Sequence, residues 1–263
     1  MKKNLKKSKL LLAVDIGNTA TSVALFCGNR IVQVKSMATD RNEMRFARDF
    51  SILSKGIKKS YPKLADAVVC SVVPTASKQV AQALKKNLGG KILVAGQNFK
   101  IPIKNCYSNP KQVGQDRLAC AYAVKIQYGS PAIVIDFGTA LTIDVVSAKG
   151  EYEGGVIVPG ISLSLKALSQ HTALLPKVTF HSPRALVGRN TEESILSGMF
   201  HGYIALIDGV VKKIKKELKE KPVVVLTGGY GKLMGKFLKP SIDKFDPHLI
   251  FKGLLLAFLK ENS

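Results

Sequence analysis

Asp15-Ile16-Gly17-Asn18-Thr19 closes the apolar run Leu10-Leu11-Leu12-Ala13-Val14, and the fold is read outward from this stretch. An apolar run of that length, stopped by an acid and a glycine, predicts a buried strand ending in a tight turn. Such a turn brings a carboxylate and backbone N–H groups to a sheet edge. Backbone donors with a short hydroxyl or amide suit a phosphate, and the acid suits the magnesium that accompanies it. An ordinary hairpin turn explains five residues equally well.

A second copy breaks the tie. Ala132-Ile133-Val134-Ile135-Asp136-Phe137-Gly138-Thr139-Ala140-Leu141-Thr142-Ile143-Asp144 repeats the plan of apolar strand, acid, any residue, glycine and hydroxyl. Asp15 and Asp136 lie 121 residues apart, too far for a solenoid repeat and suited to a duplicated domain. An alternating segment follows each copy, Thr21 to Phe26 in the first and Thr142 to Val146 in the second. Both therefore predict strand, turn, strand, and two such hairpins facing each other would clamp a nucleotide.

The 263 residues are 46% hydrophobic, enough for one large or two smaller domains, and the duplication favours two. Net charge is +22, carried by thirty-three lysines and seven arginines. The lysines are scattered along helix faces, without the arginines, aromatics or module expected of a nucleic-acid reader, so nucleic acid is not the expected partner. The charge can still attract an anion such as ATP. Cys27, Cys70, Cys106 and Cys120 have no metal-ligand spacing and predict free thiols in a reducing cytoplasm. The lysine-rich start imitates a secretory signal, but its apolar run is short of the roughly 7–15 residues required. No membrane segment is expected.

Along the chain, strands are expected at 31–35, 67–73 and 91–95, with helices over about 41–59 and from a Thr75 cap to about Asn87. A three-strand meander followed by alternating helix and strand is an α/β domain with a mixed sheet. A polar loop, 105–113, leads to Gly114-Gln115-Asp116-Arg117 at the first turn of a helix running to Tyr128. Asp116 there caps the helix dipole, or acts as a base beside a guanidinium that holds the substrate. Gly129-Ser130-Pro131 is the domain joint, dividing the chain into 10–129 and 130–263. Beyond it, strands fit the Gly-rich 153–160 and the run 223–227, which enters Gly228-Gly229; helices fit 161–170, a long stretch from Asn190 or Thr191, and 248–258. Those two glycines would let a flat ring lie on the backbone. His171 reads as a surface histidine. Gly198 and Gly202, at i and i+4, permit close helix packing or a partner helix in a dimer.

Seven motifs in order carry a resemblance: D-I-G-N-T (15–19), G-Q-D-R (114–117), D-F-G-T-A-L-T-I-D (136–144), E-G-G-V-I-V-P-G (153–160), T-A-L-L-P (172–176), G-R-N-T-E-E-S-I-L-S-G (188–198) and L-T-G-G (226–229). The chain resembles the type III pantothenate kinases over residues 10 to 258. The resemblance implies the superfamily of acetate and sugar kinases, heat-shock chaperones and actin. Its fold is α/β, two duplicated ribonuclease H-like domains with mixed five-stranded sheets flanked by helices. It further implies a cytoplasmic homodimer that phosphorylates pantothenate with ATP, Mg2+ and a monovalent cation, K+ or NH4+. Asp15, Ile16, Gly17, Asn18, Thr19, Ala20, Thr21 and Ser22 would form the first phosphate loop, with Asp15 reaching magnesium through water. Asp116 would be the general base, and Gly114, Gln115, Arg117 and Thr191 would contact pantothenate. Asp136 would hold the monovalent cation, Gly138 and Thr139 would touch ATP, and Gly228 and Gly229 would edge the adenosine. Rival readings are another small-molecule kinase of that superfamily, or a basic regulatory protein that binds DNA without catalysis.

Overall fold

The structure, a computed structural model, describes residues 9–239 and 241–262. The chain forms two compact units. The first runs to Ile103, resumes over Asn109–Ala123 and includes the end of the chain from Ile250; the second comprises Lys104–Ser108 and Val124–Leu249.

In the first unit, β1 (Leu10–Ile16), β2 (Ala20–Cys27) and β3 (Arg30–Ala38) form an antiparallel meander. β4 (Asp66–Ser71) pairs parallel with β1, and β5 (Ile92–Val94) parallel with β4, giving the order β3-β2-β1-β4-β5. β1 is therefore paired on both edges, and all its residues except Asp15 are buried. That is why it reads as an unbroken apolar run. Two crossover helices cover the sheet, α1 (Glu43–Ser60) and α2 (Pro74–Leu88). Phe46, Phe50 and Ile57 of α1 and Val80 and Leu84 of α2 pack with Leu12, Val14, Val23 and Val69 of the strands.

The helix starts reflect local chemistry. The Asn42 side chain caps α1 by accepting from Arg45 N–H at 3.0 Å. α2 departs from expectation: Thr75 is its second residue, and the cap position is Val73. Pro74, lacking an N–H and fixed near helical φ, opens the helix itself. Ser71 does the polar work, its hydroxyl accepting from Val73 N–H at 3.0 Å.

The second unit repeats the plan. β6 (Ala132–Phe137), β7 (Ala140–Val146) and β8 (Tyr152–Pro159) form the meander, β9 (Val223–Gly228) lies parallel to β6, and β10 (Lys244–Phe245) parallel to β9. Its order, β8-β7-β6-β9-β10, matches the first sheet strand for strand. α3 (Gln115–Gln127) enters this unit at Val124, α4 (Ile161–His171) and α5 (Thr191–Leu218) span the β8-to-β9 crossover, and the short α6 (Gly231–Met234) comes after β9. The fold is thus α/β, two ribonuclease H-like halves each built on a mixed five-stranded sheet. Against the expectation of no membrane segment, α5 is long and apolar enough by length and composition to cross a membrane. Its Leu196, Phe200, Tyr203, Ile207 and Val211 are buried, however, most of them in the second core, the stripe expected of a core helix.

The last helix, α7 (Leu249–Glu261), belongs from Ile250 onward with the first unit, so the grouping of contacts differs from the division at 129/130. Its anchor is a close approach to α3: a Cβ on Gly253 would stand 2.0 Å from the carbonyl oxygen of Ala119. Gly253→Ala would gain ~1 kcal/mol of helix propensity. It would lose more by forcing two packed helices apart, since overpacking costs about 1–3 kcal/mol or more. A net loss of about 1–2 kcal/mol in chemical denaturation is expected, and an unchanged midpoint would show that the two backbones do not meet at this position.

Candidate active site

In the first unit the chemistry collects at the end of β1. Asp15 is its penultimate residue, in register with Ser22 on β2 and Cys70 on β4. Side chains alternate across a strand, so Ile16 turns inward, fully buried, while Asp15 faces the other way, half-buried. Gly17 N–H donates to the Ala20 carbonyl at 3.0 Å and closes the hairpin, leaving Asn18, Thr19 and Ala20 exposed on the turn. Thr21 and Ser22 have partners at the neighbouring strand. Their hydroxyls bond across to β3 and just beyond it, Thr21 Oγ1 to Thr39 Oγ1 and Ser22 Oγ to Ser36 Oγ, both at 2.8 Å. Thr39 N–H also donates to the Thr19 carbonyl at 3.0 Å, so the turn is braced from the neighbouring strand.

Gly114 to Arg117 arrive at the start of α3 in the same unit. The Asp116 carboxylate folds back over its own backbone: Oδ1 accepts from Arg117 N–H at 2.9 Å and lies where a Cβ on Gly114 would be, 2.2 Å away. Only glycine at 114 leaves that room. Gln115 packs in the same way under Gly96, whose φ of +78° is one that L side chains rarely adopt. Cys70 shows where these acids lie. Its thiol pKa is pushed well up by burial first, and then by the negative charges of Asp15 and Asp116. The first-hairpin acid and the helix acid thus both lie near enough to one buried thiol for their charge to act on it, a relation that spacing in the sequence could not show.

The second unit has the matching arrangement. Asp136 is the penultimate residue of β6, in register with Thr142 on β7 and Thr227 on β9. Gly138 and Thr139 are exposed on its turn. Gly228, at φ +88°, sits directly under the Asp136 carboxylate, where a Cβ would lie 2.4 Å from Oδ1. Gly229 N–H donates to the Phe137 carbonyl at 3.0 Å, and its own Cβ position faces open space. Gly160, the N-cap residue of α4, donates to the Thr139 carbonyl at 3.0 Å; a Cβ there would come within 2.5 Å of the Gly138 carbonyl oxygen. The hairpin turn, the paired glycines and the N-terminus of α4 therefore meet. Gly160 is thus a member of the group, although its motif alone places it only in a strand and turn.

Behind this hairpin, Asp144 is almost wholly buried and accepts from Tyr152 Oη at 2.8 Å and from Thr142 Oγ1 at 3.0 Å. Tyr152 in turn holds the segment Lys104–Ser108 through backbone bonds of 2.8 Å to Lys104 and Cys106. Tyr107 consequently packs on Gly154, although its segment reads as a polar loop. Thr191 is exposed at the first turn of α5. That helix is capped by Asn190, which accepts from Glu193 N–H at 2.9 Å, while Glu193 Oε2 accepts from Arg189 N–H at 2.9 Å. His171 ends α4, exposed. Two acids on hairpins, backbone amides at turns and helix N-termini, and one acid beside an arginine suit the binding of anions and the removal of a proton.

Comparisons with known proteins agree with this chemistry. A family model described as type III pantothenate kinase matches residues 11–213. The type III pantothenate kinase of Persephonella marina is 42% identical over 252 residues, covering 93% of this chain and 96% of its own. That of Halalkalibacterium halodurans is 37% identical over 253 residues, with 95% and 99% covered. Among solved structures, a protein of Sinorhizobium meliloti assigned as a 2-dehydro-3-deoxygalactonokinase superposes with a TM-score of 0.60 at 13% identity, covering 95% of this chain and 96% of its own. The ethanolamine utilization protein EutJ of Carboxydothermus hydrogenoformans gives 0.55 at 16%, covering 97% and 92%. At such identities these structures speak to the fold alone.

Proposed function

The chain belongs to the type III pantothenate kinases, and we propose on that footing how its own residues carry the reaction. It transfers the γ-phosphoryl group of ATP to the primary hydroxyl of pantothenate, giving 4′-phosphopantothenate, the first step of coenzyme A biosynthesis. The hydroxyl oxygen bonds to phosphorus, the bond to ADP breaks, and the hydroxyl proton leaves. Transfers of this kind are mostly positioning and neutralisation of charge. The observation that carries the assignment of roles is the fixed carboxylate of Asp116, folded over Gly114 in the same unit as the Asp15 hairpin.

Asp116 accepts the proton. With Oδ1 bound to Arg117 N–H, the group is held in one orientation, the positioning a general base needs. Arg117 supplies positive charge for the carboxylate of pantothenate, and Thr191, by its match to the family motif, is a further contact for that substrate. The exposed turn at Asn18 to Ala20 takes phosphate oxygens on its backbone amides, with Gly17 setting the turn. Thr21 and Ser22 support it through their bonds to Thr39 and Ser36. Gly138 and Thr139 take phosphate oxygens in the second unit, and Gly228 and Gly229 lie along the nucleoside.

Two cations complete the reading. Asp15, half-buried at the end of β1 beside the exposed turn, fits magnesium held by one carboxylate and water. Bound there, magnesium would neutralise charge on the phosphates. Asp136, crowded by the backbone of Gly228 and Phe137, fits a monovalent cation, K+ or NH4+. The reading extends to a homodimer in the cytoplasm. Support for the dimer lies in the second unit, where Leu174, Leu186 and Val187 are 91%, 67% and 77% exposed and Gly198 and Gly202 face open space on α5.

Three outcomes are expected. Asp116→Asn should lower kcat by ~10²–10⁴, with ATP affinity retained in a direct binding titration; near-normal turnover would remove Asp116 from the role of base. Exchanging K+ for Na+ should depress turnover severalfold in the wild type and make little difference in Asp136→Asn; equal rates in both salts for the wild type would separate Asp136 from any cation. Light scattering after size exclusion should give twice the chain mass, and Gly202→Glu should give the single mass. A monomeric wild type would overturn the dimer.

A further inference from the structure

The second unit holds a cavity of about 420 Å³ that none of the roles above uses. It lies between α4, the segment 177–180 and Tyr230, the residue directly after Gly228-Gly229. Its volume falls within the roughly 300–1,000 Å³ typical of small-molecule sites. The walls are Leu165, Phe180 and the ring of Tyr230, flat and apolar surfaces on which a heteroaromatic base can rest. The charged groups among its lining residues are all cations, Lys166 and Lys177; no carboxylate lines it.

The cavity is tied to the phosphate hairpin by short links. Tyr230 Oη and Ser162 Oγ are hydrogen-bonded at 2.7 Å, and Ser162 lies in the first turn of α4, one residue after Ile161 and two after the Gly160 that touches Thr139. Phe180 meets Tyr230 edge-on, with ring centroids 5.1 Å apart and planes at 76°. The tyrosine is thus held from two sides and forms a fixed wall. A nucleotide whose phosphates lie at Gly138 and Thr139 and whose sugar runs along Gly229 would therefore bring its base to this cavity.

We propose that the cavity is the base subsite of the phosphoryl donor, and that its two lysines let it take a purine with a 6-keto group at least as well as adenine. The proposal rests on the kinase reading. Its chemistry lies in the edge of the base. A lysine ammonium offers three donors and no acceptor. The keto oxygen of hypoxanthine or guanine accepts from it, whereas the 6-amino group of adenine brings donors against donors. A carboxylate among the lining residues would repel the keto oxygen, and none is there; the neutral acceptors, Gln170 and the hydroxyls of Ser162, Ser169 and Thr179, can also donate and so fit either purine. Both lysines are exposed, so the preference is modest, on the order of tenfold for a charge-assisted hydrogen bond shared with water.

The test compares ATP with inosine triphosphate, which carries the keto group without a second amino group. With pantothenate, magnesium and potassium, the wild type should show kcat/KM for inosine triphosphate within about threefold of that for ATP, or above it. In Lys166→Met/Lys177→Met the ratio of inosine triphosphate to ATP should fall by about tenfold. A wild-type ratio below about a tenth, or a ratio that the double substitution leaves in place, overturns the proposal. A second arm measures the dissociation constants of inosine diphosphate and ADP by calorimetry on the same two proteins. If no donor supports turnover while this binding ratio shifts with the lysines, the kinase reading falls and the base subsite stands. If the binding ratio does not move, the subsite falls whatever the turnover shows.

Discussion

Each half of this protein depends on a central strand that is hydrogen-bonded along both edges. β1 lies between β2 and β4, and β6 between β7 and β9. A strand so placed has no edge to offer solvent, and an ionised acid in its interior would cost several kcal/mol or be forced neutral. In β1 and β6 the carboxylate stands instead near the end, on the face opposite the clustered core residues, whereas an acid farther inside a doubly paired strand needs buried donors, as Asp144 of β7 has in Tyr152 and Thr142. Asp15 and Asp136 both occupy the penultimate position, and each precedes one last core residue, Ile16 or Phe137, which turns inward. The acid is presented because the next side chain is buried.

Backbone crowding governs the chain just past each acid. Around Asp136 three segments approach more closely than side chains allow: the hairpin turn, the Gly228-Gly229 corner and the cap of α4. At Gly228 the glycine answers two demands at once, a positive φ and the space occupied by the Asp136 carboxylate. At Gly160 it answers one, contact with the Thr139 and Gly138 carbonyls. The first unit brings Asp116 into position by a similar device, with Gly114 beneath the carboxylate. The acids differ in surroundings and hence in the work that suits them: Asp116 is fixed by its own helix, Asp136 by neighbouring strands.

The parts legible in the sequence are those with dense local signals. Apolar runs of five and four residues mark β1 and β6, and the repeated acid-and-glycine turn marks the duplication. Long-range relations leave weaker traces. β10 is two residues whose only strand signature is pairing with β9. Thr75 reads as the start of α2 because a hydroxyl is a good cap, yet Pro74 opens the helix earlier. Thr21 and Ser22 enter the phosphate loop through the family resemblance alone, and the partners of their hydroxyls, Thr39 and Ser36, follow from strand register, which no local signal carries. The return of α7 to the first unit turns on Gly253 meeting Ala119, two positions far apart in the chain.

The +22 charge fits this picture as a long-range effect. Ion pairs such as Arg45–Asp40 and Lys104–Glu151 reach into solvent through their basic partners, where screening leaves them little weight in stability. Stability rests instead on two apolar cores built around Phe46, Phe50, Ile133, Phe200 and their neighbours. Excess lysine works against compactness by self-repulsion, yet it raises the local concentration of anions, and both substrates of the reaction are anions. Salt shortens that reach to about 8 Å at physiological ionic strength. Within such a distance the field is set by fixed groups, the turn amides, the helix N-termini and the few acids. Lysine abundance can therefore speed the arrival of substrates, while their placement is left to groups fixed within hydrogen-bond reach.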